Sequence, residues 1–116
     1  MTNNNLSPIA QQLYSHLQTT GGAWLYKCVN ALFPPPAYPA KDDNEKREEK
    51  QAAYWQWEAN IDGYPVDRPV GNISVKFNAT DNYSKKVSAA YQELRKAGLA
   101  DESNNGYNEY YIYPTK

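Results

Sequence analysis

The sequence holds a single cysteine, Cys28, and a single histidine, His16. One cysteine excludes a disulfide within the chain, and a zinc centre built from Cys and His alone has too few ligands. No apolar run approaches the roughly 20 residues that a membrane-spanning helix needs, so no membrane partner is expected. The opening Met1-Thr2-Asn3-Asn4-Asn5 has neither the basic start nor the apolar stretch of a secretory signal. A cytoplasmic location is therefore the expectation. Excess positive charge is missing too, with a net charge of −1 and a pI near 5.8. A nucleic-acid coat is strongly basic, so any contact with phosphate must come from a local basic face. There is no Gly-rich phosphate loop and no nucleophile elbow. Glu48, Glu49 and Glu58 belong to a charged run of the kind that forms a solvated helix face. No catalytic residues, metal, cofactor or small-molecule substrate are expected, and the chain reads as a binding protein.

What is present fits one globular domain. A chain of 116 residues has room for a single core without disulfide or metal staples. Hydrophobic residues make up 41% and charged residues 22%, which argues against wholesale disorder. The aromatics are skewed, with eleven Tyr and three Trp against two Phe. Tyr and Trp join a large apolar body to a polar tip, which suits half-buried and interface positions.

Along the chain, residues 1–6 read as a flexible terminus. Ser7-Pro8 then opens a helix, with Ser as N-cap and Pro at its first position. Ile9, Leu13 and Leu17 form its apolar stripe, and Gly21-Gly22 stops it. A second helix is expected over residues 23–33, where Trp24, Leu25, Cys28, Val29, Leu32 and Phe33 make it apolar over a wide arc. Pro34-Pro35-Pro36 ends it, and residues 34–44 form a Pro-rich and charged connector. Nine of the ten residues from Lys41 to Lys50 are charged. Their mixed signs at helical spacing mark a solvated helix surface. This third helix continues through Tyr54, Trp55 and Trp57 and ends near Asp62-Gly63. Residues 64–71 contain two prolines and read as a loop. Ile73, Val75 and Phe77 alternate with Ser74 and Lys76 as a short strand.

Residues 81–114 carry the chemistry. Tyr83, Val87, Ala90, Tyr91, Leu94 and Ala97 fall on one face of a fourth helix. The other face presents Lys85, Ser88, Ala89, Gln92 and Lys96, with Arg95 at its margin. Lys85, Lys86, Arg95 and Lys96 stand against the single acid Glu93, a net +3 between residues 84 and 97. Lys and Arg neutralise phosphates. Gln and Ser hydrogen-bond base edges, and Ala permits close approach. Gly98 is a left-handed cap, and Asn105-Gly106 is a hairpin turn. In the return strand Tyr110 and Ile112 share one face, while Tyr107, Tyr111 and Tyr113 share the other.

The stretch VSAAYQELRKAGLADESNNGYNEYYIYP resembles the recognition helix and wing of winged helix-turn-helix proteins, including MarR-like regulators. The resemblance covers about a quarter of the chain. It implies an α+β, helix-rich, winged-helix-like domain: three N-terminal helices, one short strand, a recognition-like helix and a C-terminal β-hairpin. Such a domain requires the strand from Ile73 to Phe77 to join the hairpin in one sheet. Carried over by position, Lys85, Lys86, Ser88, Ala89, Gln92, Arg95 and Lys96 face duplex DNA, and Asn104 and Asn105 form the wing tip. The function implied is sequence-specific DNA binding, regulating transcription or replication of a small genetic element. A homodimer is expected, because one helix and one wing bury little surface for tight specific binding.

The alternative is an adaptor or inhibitor that binds another protein. The hairpin carries Asp101, Glu102 and Glu109 against Lys116, a charge balance that favours this alternative. Its interface residues are Trp55 or Trp57, of which one is core and one an anchor, together with Tyr107, Tyr111 and Tyr113. Cys28 reads as a small buried hydrophobe and His16 as a boundary residue.

Overall fold

The protein is described here by a computed structural model covering residues 6–39, 47–104 and 110–116. The expected flexible residues 1–5, the start of the charged helix and the hairpin tip with Asn105, Tyr107 and Glu109 lie outside the described residues. Among the described residues the fold is mixed α and β, with four helices and two small antiparallel sheets. Where one domain is expected, the chain divides into two compact units. Unit 1 joins Met1–Phe33 to Ser84–Lys116, and unit 2 is Pro34–Tyr83.

Unit 1 begins with α1 (Pro8–Thr20). Ser7 caps it, accepting a hydrogen bond from the Ala10 amide at 3.2 Å. The cap is itself held by α4 (Tyr83–Lys96). The Ser7 amide donates to Glu93 Oε1 at 2.9 Å and its hydroxyl to Glu93 Oε2 at 2.6 Å. Glu93 thus spends its charge at a helix N-terminus, where the backbone amides and dipole favour an anion.

The second helix starts later than its apolar pattern predicts. Ala23–Trp24 is a short strand, β1, and α2 spans Leu25–Leu32. Apolar content alone does not separate a buried strand from a buried helix. Here pairing decides, because Ala23 lies opposite Ile112 and Trp24 opposite Tyr111. At Gly22 an added Cβ would sit 2.7 Å from the Tyr111 hydroxyl. Glycine is what lets the ring lie over the backbone there.

Helix α4 follows its predicted face: Val87, Ala90, Tyr91 and Leu94 are buried, Tyr83 is half-buried, and Ala97 is exposed. Gly98 ends it at φ 74°. Its amide reaches Arg95 O at 3.0 Å and the Leu99 amide reaches Leu94 O at 2.9 Å, the two bonds of a Schellman stop. The chain turns directly into β4 (Ala100–Asn104), which pairs with β5 (Tyr110–Pro114). The sheet order is β1-β5-β4, so β5 is central. Its Ile112 is fully buried, as are Leu13, Leu17, Cys28, Val87 and Leu94.

Unit 2 contains α3 (Arg47–Asp62) and a separate hairpin of β2 (Val66–Val70) and β3 (Ile73–Phe77). The strand at 73–77 is where its alternation places it, but it pairs with β2 and belongs to a separate sheet from the C-terminal hairpin. Residues 66–70 are a strand, although the two prolines of residues 64–71 predict a loop. Pro69 is tolerated because, among the described residues, β2 pairs with β3 alone, and an edge strand accommodates a residue without an amide donor. Trp55, Ala59 and Phe77 form this unit's core, with Val66, Val70 and Val75 against it.

The buried polar residue Asn60 ties α3 to the segment that follows β3. Its carbonyl accepts from the Thr80 amide at 2.8 Å and from Gln56 at 3.3 Å, and its amide reaches the Tyr83 hydroxyl at 3.4 Å. Replacing Asn60 with Leu leaves the Thr80 amide without its acceptor. We expect a loss of about 1–3 kcal/mol, measured by urea unfolding followed through tryptophan fluorescence.

The Ser7–Glu93 clamp has a signed pH dependence. Hydrogen bonds from the Ser7 side chain and then its backbone hold the Glu93 carboxyl below its ordinary value. Its contribution is complete above the unfolded glutamate range, near about pH 4.3, and is lost as pH falls through the lowered folded value. Glu93→Gln should flatten that acid limb of the stability curve. Ser7→Ala should cost about 0.5–2 kcal/mol at neutral pH.

Candidate functional site

Helix α4 presents two adjoining stripes. Lys85, Ala89, Gln92 and Lys96 are exposed, and their spacing of four, three and four residues keeps them on one line along the helix. Lys86 is exposed beside them. The second stripe, Ser88, Gln92 and Arg95, lines a cleft of about 300 Å³ together with Tyr91, Leu25, Glu102 and Tyr110. The structure therefore gathers seven of the nine sequence-predicted contact residues onto one helix. The eighth, Asn104, closes β4 opposite Tyr110, and Asn105 lies outside the described residues.

Glu102 is the residue whose role the sequence does not reveal. Counted as a charge, it is one of the acids of the hairpin. In the fold, β4 turns it toward α4, where its Oε1 accepts from the Tyr91 hydroxyl at 2.7 Å and from Arg95 at 3.5 Å. Tyr91 is almost fully buried, so this carboxylate has a rigid anchor beneath it. The Arg95 side chain is 53% exposed and that of Glu102 only 23%. The guanidinium thus stands beside the Glu102 carboxylate, half in solvent, at the edge of the cleft. Asp101 remains exposed and accepts the Glu102 amide at 2.8 Å.

Burial, followed by the hydrogen bond to Glu102, pushes the Tyr91 hydroxyl far above the ordinary tyrosine range. The stabilisation linked to its neutral form is complete below about pH 10. It is lost only as pH rises through the raised folded value. Tyr91→Phe removes a hydrogen bond to a charged group and should cost about 1.5–3 kcal/mol. Spectrophotometric alkaline titration should show one late-titrating tyrosine disappear in that variant.

A second cleft in unit 1, of about 400 Å³, is lined by His16, Thr20, Gly22, Ala23, Trp24, Lys27 and Tyr111. Trp24 and Tyr111 meet edge to face across β1 and β5, with ring centroids 5.4 Å apart. Tyr113 is half-buried and Tyr110 exposed. In unit 2, Trp55 is a core residue, in edge contact with Phe77 at 5.7 Å and carrying the Arg68 guanidinium 5.9 Å from its ring. That removes Trp55 from the candidate interface residues. Trp57 is half-buried against Tyr54 at 5.4 Å, and Tyr54 against Tyr38 at 5.2 Å.

Cys28 is buried, and burial pushes its thiol up to about 11, which suits packing and not nucleophilic chemistry. Among the described residues, no group of three or more His, Cys, Asp or Glu is placed to hold a metal ion. No described helix is long and apolar enough to cross a membrane. Compared with known protein families, curated proteins and solved structures, the chain matches none.

Proposed function

We propose that this protein is a non-enzymatic, sequence-specific DNA-binding protein with α4 as its reading helix, acting as a homodimer to regulate transcription or replication of a small genetic element. The observation that carries the proposal is the arrangement of unit 1. In unit 1, β1 joins the C-terminal hairpin in one sheet of order β1-β5-β4, which supports a winged-helix-like reading, whereas the Ile73–Phe77 strand expected beside the hairpin pairs with β2. Unit 1 also carries the short α2, with unit 2 lying between α2 and α4 in sequence. The exposed lysines of α4 supply cations for phosphate, and Ala89 leaves room for close approach.

Purified protein should bind random duplex DNA with an affinity that weakens steeply as salt rises, read by fluorescence anisotropy. The paired changes Lys85→Glu and Lys96→Glu should abolish that binding and leave the circular dichroism spectrum intact. Salt-independent binding, or none at low salt, would count against the DNA reading.

A second reading, an adaptor or inhibitor that docks another protein, is favoured by the cleft around Trp24 and Tyr111. Under that reading Tyr111→Ala weakens partner binding, whereas the lysine reversals do not.

A further inference from the structure

We propose, resting on the DNA reading above, that Arg95 recognises a guanine in the major groove and that Glu102 is the positioning residue that makes it a base reader. Arg95 is as cationic in sequence as the lysines of α4, but in the fold it stands beside a carboxylate. Arg95 is paired to Glu102 at 3.5 Å, and Glu102 is itself fixed by the Tyr91 hydroxyl at 2.7 Å. The pair is close to neutral as a unit, so its attraction for a phosphate is largely cancelled. The hydrogen-bonding capacity is not cancelled. A guanidinium has five N–H donors in a rigid fork, and one contact to Glu102 leaves the rest available at the cleft mouth.

A neutralised but donor-rich, oriented fork discriminates for an uncharged surface with two adjacent acceptors. Guanine presents such a surface in the major groove through O6 and N7. Phosphate contacts position a protein and carry no sequence information directly, whereas base contacts specify. Ser88 and Gln92 line the same cleft, so the fork stands among uncharged groups suited to base edges. The acidic hairpin, which as a bare charge count repels DNA, becomes on this account part of the reading apparatus. Orientation is what it adds, since a mobile side chain reads a planar base poorly.

The test uses the full chain, with sites selected from a randomised duplex library and then measured by competition against random duplex. Wild-type sites should share a fixed guanine. Arg95→Ala should reduce preference for that guanine by about 5- to 150-fold, with other positions retained, and Arg95→Lys, which still donates to O6 and N7, by less. Arg95 is half-exposed, so neither change threatens the fold. Glu102→Gln keeps an oxygen for the Tyr91 hydroxyl and removes the charge. It should tighten binding to random duplex and at the same time weaken discrimination at the guanine. Opposite signs in these two quantities are the signature of positioning. Equal tightening on selected and random duplex would show that Glu102 merely repels phosphate and would overturn the proposal. So would a guanine preference that survives Arg95→Ala. Wild-type protein without salt-dependent binding to random duplex would instead remove the DNA reading as a whole, and this inference with it.

Discussion

Ala23 and Trp24 pair with Ile112 and Tyr111, and much of unit 1 depends on that short ladder. It brings the first part of the chain to the last and makes β5 a central strand, with Ile112 sealed beneath it. The closure spans most of the sequence, yet loop-closure entropy rises only slowly with length, by about 0.6 kcal/mol per doubling. An insertion the size of unit 2 is therefore compatible with the ladder. The Ser7–Glu93 clamp makes a second long-range closure, from the start of α1 to the last turns of α4. Together they hold α1, α4 and the hairpin in one unit although the chain leaves it and returns.

The two closures also decide where the negative charge goes. Glu93 is the one acid of a basic helix, and the fold turns it onto the cap of α1. Glu102 sits on an acidic strand, and the fold turns it onto Tyr91 and Arg95. The exposed stripe of α4 is left with Lys85, Ala89, Gln92 and Lys96. A net charge of −1 is thus compatible with a locally basic helix, because these two carboxylates are committed to hydrogen bonds inside unit 1. Coulomb interactions depend on where charges sit and how well solvent screens them, and a sum over the sequence discards both.

Much of unit 1 was legible in its residues. Ser7-Pro8, the stripe of Leu13 and Leu17, the buried face of α4 and the glycine stop at Gly98 are local signals, each set by helix geometry and capping chemistry within a few residues. The lysines of α4, with Ser88, Ala89, Gln92 and Arg95, were legible for the same reason, since helical spacing alone places them outside the core. Two strands were not. Ala23–Trp24 reads as helix because its apolar residues suit either state. Residues 66–70 read as loop because Pro65 and Pro69 outweigh a weak alternation. Trp55 and Trp57 were legible as a core residue and a more exposed one, but which was which waited on the position of Phe77.

The sequence by itself determined the helices, their stops and the basic stripe, because those follow from neighbours three or four residues away. The tertiary structure decided strand partners, the division into two units and the employment of Glu93 and Glu102. A strand exists only where a second strand accepts its hydrogen bonds, and a carboxylate's effect depends on which donor it meets. Both are contacts between residues far apart in the chain, and no local pattern encodes them.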